Sequence, residues 1–254
     1  MKKIILLNKK EGETPLQALE SFRAKNKKYK VVKMTYAGRL DPMASGLLLV
    51  LAGEETKNKE KYLGLDKEYE FEVLFGFATD TYDILGKVNY SHILKNIRIT
   101  ELEKSIKKNL RHFAGKFRQK YPAYSSKTVR GKPLFSYARS GKDIEAPERE
   151  VYVKSLKVLR LRTTSSQNLL ANIEKRIKKV KGDFRQAEII KIWRKYLLGH
   201  SMSKSKFFIA KLKIKCGSGT YVRSISNSLG EKMGMPALAL KIKRTKIGKY
   251  ANAR

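Results

Sequence analysis

Asp41 sits in Gly38-Arg39-Leu40-Asp41-Pro42-Met43-Ala44-Ser45-Gly46, directly ahead of the aliphatic run Leu47-Leu48-Leu49-Val50-Leu51. Pro42 disfavours helix at the residue before it and holds Asp41 extended or in a turn. Gly38 and Gly46 permit tight or positive-φ geometry on either side. A lone carboxylate held on a rigid loop at the edge of a core is well placed for chemistry. The same pattern also makes an ordinary turn, so the rest of the chain must decide.

Four other segments carry reactive residue types between turn-forming ones. They are Lys67-Glu68-Tyr69; Phe77-Ala78-Thr79-Asp80-Thr81-Tyr82-Asp83 with Gly86; Cys216-Gly217-Ser218-Gly219-Thr220-Tyr221-Val222-Arg223 with Leu229-Gly230; and Lys243-Arg244-Thr245 with Gly248. Gly217-Ser218-Gly219 is not a nucleophile elbow, and no Gly-rich loop followed by Lys-Ser/Thr is present. One cysteine, Cys216, excludes an intramolecular disulfide and suits a reducing, cytoplasmic setting. That cysteine with three scattered histidines (His92, His112, His200) gives no zinc-ligand spacing.

The elements that must position these residues alternate along 254 residues. Ile4–Leu7 reads as a strand and Leu47–Leu51 as a buried one. Thr14 caps a helix from Pro15 to about Arg23. Thr56–Leu63 reads as helical. Tyr69–Phe77 alternates as a strand, with Tyr69, Phe71, Val73 and Phe75 on one face. Leu102, Ile106 and Leu110 mark an amphipathic helix over Thr100–Leu110. Glu150–Leu161 and Phe207–Ile214 alternate again. This pattern predicts an α+β protein built on one extended mixed sheet flanked by helices and loops. No run approaches the roughly 20 apolar residues of a membrane span, and the apolar stretch after Lys2-Lys3 is too short for a signal peptide.

Lys plus Arg number 57 against 23 Asp plus Glu, a net charge of +34 spread along the whole chain. Such a surplus predicts a polyanionic partner, with nucleic acid foremost. Two stretches concentrate it. Residues 115–149 interleave basic, aromatic and turn-forming types, as in Lys120-Tyr121-Pro122-Ala123-Tyr124-Ser125-Ser126-Lys127. That composition grips phosphates and stacks on bases, and equally suits a solvated loop. Residues 166–198 read as two basic helices broken near Gly182-Asp183. Leu169, Leu170, Ile173, Ile177 and Val180 face Ile189, Ile190, Trp193 and Leu197 across a helix–helix seam.

In order and spacing, the Asp41 segment, the Lys67-Glu68-Tyr69 strand and the Gly219-Thr220-Tyr221-Val222-Arg223 segment resemble the TruB-type tRNA pseudouridine synthases. The likeness spans nearly the whole chain except about 163–206. It implies the pseudouridine synthase fold in a single catalytic domain over 1–254, with an RNA-gripping loop at about 115–149 and a basic helical insertion at about 163–206. The chain ends soon after Lys243-Arg244-Thr245, which predicts no C-terminal RNA-binding (PUA) domain. The insertion is expected to supply tRNA contacts in its place.

The implied activity is conversion of uridine-55 in the tRNA T-loop to pseudouridine. The uracil leaves C1′, rotates and rejoins through C5, with no metal or redox cofactor. By that resemblance Asp41 is the catalytic carboxylate and Arg223 pairs with it; a close guanidinium favours the ionised form. Tyr69 stacks on the flipped base, and Tyr221 and Ile242 line its pocket. Tyr36 stands where the family often carries a His that helps open the T-loop. Asn8-Lys9-Lys10-Glu11-Gly12 replaces the usual Asp-Lys-Pro-x-Gly. The implied partner is the T-arm of tRNA, met by a monomer in the cytoplasm. Two other readings stand beside this one: a pseudouridine synthase acting on ribosomal RNA, and a non-catalytic RNA-binding protein.

Overall fold

The Leu47–Leu51 run is apolar without alternation because both faces of its strand are covered. Leu48 and Val50 pack with Ile5, Ala18, Leu19 and Tyr29 on one side. Leu47, Leu49 and Leu51 pack with Ala37, Tyr62 and Ile247 on the other. The computed structural model describes residues 1–94, 97–199, 202–203 and 205–251. In chain order its elements begin with β1 (Ile4–Lys9), α1 (Pro15–Lys25), β2 (Met34–Ala37), β3 (Ala44–Ala52), α2 (Lys59–Leu63), β4 (Lys67–Phe75), β5 (Phe77–Thr79), β6 (Val88–Ser91) and α3 (Ile99–Leu110). They continue with β7 (Gly115–Lys120), β8 (Thr128–Val129), β9 (Lys132–Pro133), α4 (Leu134–Arg139), β10 (Glu148–Ser165), α5 (Ser166–Ile177) and α6 (Gln186–Leu198). Last come β11 (Lys206–Cys216), α7 (Val222–Lys232), β12 (Ala237–Ile247) and β13 (Tyr250–Ala251).

Among the described residues one large sheet runs β1-β3-β12-β4-β11-β10-β7, with β2 beside β3 and β13 beside β12. Only the β3–β12 pair in it is parallel, so the sheet is mixed. On one face Tyr69, Phe71, Val73 and Phe75 meet Leu102, Ile106 and Leu110 of α3 and Ile225 and Leu229 of α7. On the opposite face Glu68, Glu70 and Glu72 pair with Lys213 and Lys215, Lys211, and Arg162. The alternation of β4 therefore separates an apolar core from a charged ladder.

The expected strands and helices are present, with instructive differences. Thr14 Oγ1 accepts from Gln17 N, and Gln17 Oε1 accepts from Thr14 N, a capping box that sets the start of α1. The strand expected over Tyr69–Phe77 breaks at Gly76, whose φ of +105° ends β4 and starts β5. Residues 115–149 are not one loop. Their start is β7, paired to β10, and their middle holds the β8–β9 hairpin and α4. β10 runs to Ser165 and β11 starts at Lys206, so the helical pair α5–α6 falls between them. Its seam forms as expected, and it shares one core with Leu74, Phe77, Ile84, Phe207, Leu238 and Leu240 of the sheet region. Among the described residues no helix is long and apolar enough to cross a membrane.

Candidate active site

The Asp41 loop leaves β2 and enters β3 where β3 passes from one neighbour to the next. β3 pairs with β2 over Leu49–Ala52 and with β12 over Ala44–Gly46. Gly46 has φ +105°, and a Cβ there would lie 2.2 Å from Arg244 O, so only glycine fits this close approach. Arg244, fully buried in the fork, donates from Nε to Leu47 O (2.7 Å), from Nη2 to Gly38 O (3.2 Å) and from Nη1 to Arg39 O (3.4 Å). From the other side Pro42 O accepts from Gly12 N (2.9 Å) and from the buried Lys9 Nζ (3.3 Å). Lys9 Nζ also donates to Lys10 O and Glu13 O. Two buried cations thus fasten the loop by main-chain carbonyls on both flanks of Asp41.

Arg223 enters at the start of α7, with 3% of its side chain exposed. Its guanidinium uses all three nitrogens: Nε to Asp41 Oδ2 at 2.8 Å, Nη1 to Thr81 O at 2.9 Å and Nη2 to Tyr124 O at 3.0 Å. Two rigid carbonyls therefore aim the third donor at the carboxylate. The Asp41 side chain keeps 37% of its surface open, so the ion pair is dry on one side and accessible on the other. Asp83 lies buried behind it, accepting from Thr81 Oγ1 and Leu85 N. Burial pushes its carboxyl up to about 6, with Arg223 opposing and Asp41 adding to the rise.

Around the pair stand the aromatic and apolar residues expected from the sequence. Tyr69 is buried in one cluster with Leu40, Ala44 and Ile242. It lies opposite Arg244 on β12 and Ile214 on β11. Burial raises its phenol above the usual range, with Arg244 pulling the other way, so it stays neutral at physiological pH. Ile242 faces Ala44 across the parallel pair and Phe71 on β4. Tyr221 precedes α7, its main chain held by both ends of the Gln119 amide. Its ring stands 5.7 Å from the Arg223 guanidinium and meets Tyr121 edge-on. Tyr36 is placed differently. It packs toward the α1 cluster and lines a cavity of about 490 Å³ with Leu16, Arg23, Gly38, Arg39 and Lys59.

The segment 121–127 lies across this site. Tyr124 O caps Arg223, and Ser126 Oγ accepts from Arg39 Nη1 at 2.6 Å. In the sequence Lys9, Asp83 and Arg244 stand only as parts of motifs. What marks them is a charged residue inside or beside an apolar strand, which must find partners when buried.

A family model described as "TruB family pseudouridylate synthase (N terminal domain)" matches residues 26–184, more than half of the chain and including Asp41, Tyr69, Asp83 and Tyr124. The chain belongs to the TruB family. Curated relatives named tRNA pseudouridine synthase B agree. The protein of Wigglesworthia glossinidia brevipalpis is 33% identical over 97% of this chain and 60% of its own length. That of Endomicrobium trichonymphae is 31% identical over 96% of this chain and 84% of its own length. The chain thus spans about 60% of the first relative's length. Among solved structures, a chain of the crystal structure of a Cbf5-Nop10-Gar1 complex superposes with a TM-score of 0.58 at 18% identity, covering 98% of this chain and 50% of that one. That likeness speaks for the fold alone.

Proposed function

We propose that this chain converts uridine-55 in the T-loop of tRNA to pseudouridine, with Asp41 as the catalytic carboxylate. The observation that carries the reading is the Arg223–Asp41 pair at 2.8 Å, fastened at both flanks and open on one side, in a TruB-family chain. A carboxylate so held meets the substrate without reorganising. The target uridine leaves its stack, at a cost of a few kcal/mol that contacts to the RNA backbone offset. Asp41 then attacks the nucleotide or assists cleavage of the bond to C1′. The freed uracil turns between Tyr69, Tyr221 and Ile242 and rejoins C1′ through C5, which gives up its proton while N1 takes one up, so the net change is an isomerisation. Tyr69, a neutral phenol, offers a stacking face and a donor. Tyr36 enters the T-loop by stacking, without the titrating ring of a histidine. Residues 115–149 grip the RNA, the exposed lysines of the insertion add phosphate contacts, and the chain acts as a monomer in the cytoplasm.

The test is pseudouridine mapping on unmodified tRNA transcript with wild type and Asp41→Asn. Isomerisation confined to the T-loop uridine and abolished in Asp41→Asn is expected. Isomerisation of ribosomal RNA alone, or tight tRNA binding with no pseudouridine, would replace this reading with one of the other two.

A further inference from the structure

The turn between α5 and α6 does more than join two helices. Arg185, at its end, has φ +63°, a left-handed conformation that non-glycine residues hold only when their surroundings demand it. Its main-chain N donates to Asp183 Oδ1 within the turn, and its side chain is held on the catalytic side. Arg185 Nη1 donates to Asp80 Oδ2 at 2.9 Å and to Tyr124 Oη at 3.0 Å, and its guanidinium stands 4.8 Å from the centre of the Tyr124 ring. A guanidinium that lies over an aromatic ring and also donates to its hydroxyl and to a carboxylate is poorly replaced by lysine.

The two segments that Arg185 joins are those that hold Arg223. Asp80 adjoins Thr81, whose carbonyl takes Arg223 Nη1; the Tyr124 carbonyl takes Nη2. Tyr124 is therefore fixed at both ends, its carbonyl by Arg223 and its ring by Arg185. Asp80 is itself held from behind, since its other carboxylate oxygen accepts from Lys87 N at 2.8 Å. The insertion has the rigidity to serve as the fixed point. Arg176 of α5 makes a buried bidentate pair with Glu11, and Lys181 N donates to Gly12 O. Trp193 Nε1 donates to Ile84 O, and the Trp193 ring is fully buried. Glu11 and Gly12 belong to the same turn whose Gly12 N and Lys9 Nζ grip Pro42 O beside Asp41.

We propose that Arg185, supplied by the two-helix insertion, is a positioning residue that clamps the Thr81 and Tyr124 segments and thereby sets the Arg223 guanidinium on Asp41. The inference rests on the isomerase reading for its kinetic readout and on geometry alone for its structural one. Loss of the clamp lets the two carbonyls drift, and small errors in a catalytic group's placement lower the chemical rate more than substrate binding.

The experiment compares wild type with Arg185→Ala, Arg185→Lys and Tyr124→Phe. It reads single-turnover pseudouridine formation at saturating tRNA transcript, the transcript's Kd by filter binding, and hydrogen–deuterium exchange of the free protein. Arg185→Ala is expected to slow the chemical step about tenfold or more with Kd changed less than about threefold. Arg185→Lys should restore little of the rate, and Tyr124→Phe, which keeps the ring, should fall between. Peptides covering 79–83 and 121–127 should exchange faster in Arg185→Ala while those of α5 and α6 stay protected. An unchanged rate overturns the proposal, as does a weakened Kd with the rate intact, which would make Arg185 an RNA contact. If wild type isomerises no RNA, the functional reading falls by itself. Unchanged exchange at 79–83 and 121–127 then overturns the clamp independently.

Discussion

At the scale of single residues, the site depends on buried cations that touch carbonyls, and each carries a consequence that can be measured. Burial lowers the Lys9 ammonium from its ordinary 10.5 to about 8, against the opposing pull of Glu13, Asp41 and Glu11. Between pH 8 and 10.5 the unfolded chain keeps a proton there that the folded chain has released, so this residue's contribution to stability rises with pH across that window. The penalty of burying the charge, up to about 3 kcal/mol, is present below pH 8 and relieved by pH 10.5. Urea unfolding should show wild type gaining on Lys9→Met as the pH rises from 7.5 to 10; a constant gap between the two would refute the buried-charge account. Activity is expected to move the other way. The neutral amine has one donor fewer for the carbonyls of Lys10, Glu13 and Pro42, and the Asp41 loop loosens. Arg244→Met removes the donors of Gly38 O, Arg39 O and Leu47 O together. An unpaired buried acceptor costs about 1–3 kcal/mol, so stability should fall by at least that much, read as a lower urea midpoint. A midpoint equal to wild type would show that the fork in the sheet closes without the guanidinium.

At the scale of elements, the sequence was legible wherever periodicity or capping chemistry acts locally. The Thr14-Pro15 helix start, the alternation from Tyr69 to Phe75 and the seam between α5 and α6 were all readable because each is written in neighbouring residues. The break at Gly76 was not, since a glycine between two apolar residues looks like strand until His92 O is found packed against it. Nor was β7, whose pairing with β10 lies about 30 residues away in the chain. The Asp41–Arg223 pair came from motif resemblance. The carbonyl contacts of Lys9 and Arg244 are tertiary and left no local trace beyond a charge in an apolar setting. The expected RNA role of α5 and α6 is not testable by removing them. Because α5 and α6 share a core with Leu74, Phe207, Leu238 and Leu240, cutting them out would expose the sheet and confound any loss of RNA affinity. Trp193→Ala measures that shared core directly. It removes a fully buried ring and the donor of Ile84 O, and should cost about 3–5 kcal/mol, read as a lower urea midpoint. A change under about 1 kcal/mol would mean that the helical pair is loosely attached. Replacing the exposed Lys178, Lys181, Lys191 and Lys195 by Gln tests the RNA role with the core intact, and a weaker tRNA Kd is expected. An unchanged Kd would remove the insertion from the RNA interface.

At the scale of the whole molecule, the surplus of 34 positive charges has to be weighed against how the acidic groups are used. Glu68, Glu70 and Glu72 are spent on lysines and an arginine of the sheet, Glu11 on Arg176, and Glu174 on Arg194. With many carboxylates paired internally, the excess remains on exposed lysines such as Lys127, Lys132, Lys178 and Lys191, where it repels itself and attracts polyanions. Phosphate contacts made by such groups release condensed counterions, so affinity falls linearly with salt on logarithmic axes. If six to ten phosphates are contacted, the tRNA association constant should drop by about 10³–10⁵ between 50 and 200 mM salt. The chemical step should respond differently. Arg223 and Asp41 are paired with one partner 3% exposed, and buried pairs are screened far less than surface charges. Single-turnover rates at saturating tRNA should therefore stay nearly constant across the salt range in which Kd changes steeply. A Kd insensitive to salt would contradict the electrostatic account of binding. A rate that falls with salt at full saturation would mean that surface charges, rather than the buried pair, govern the chemistry.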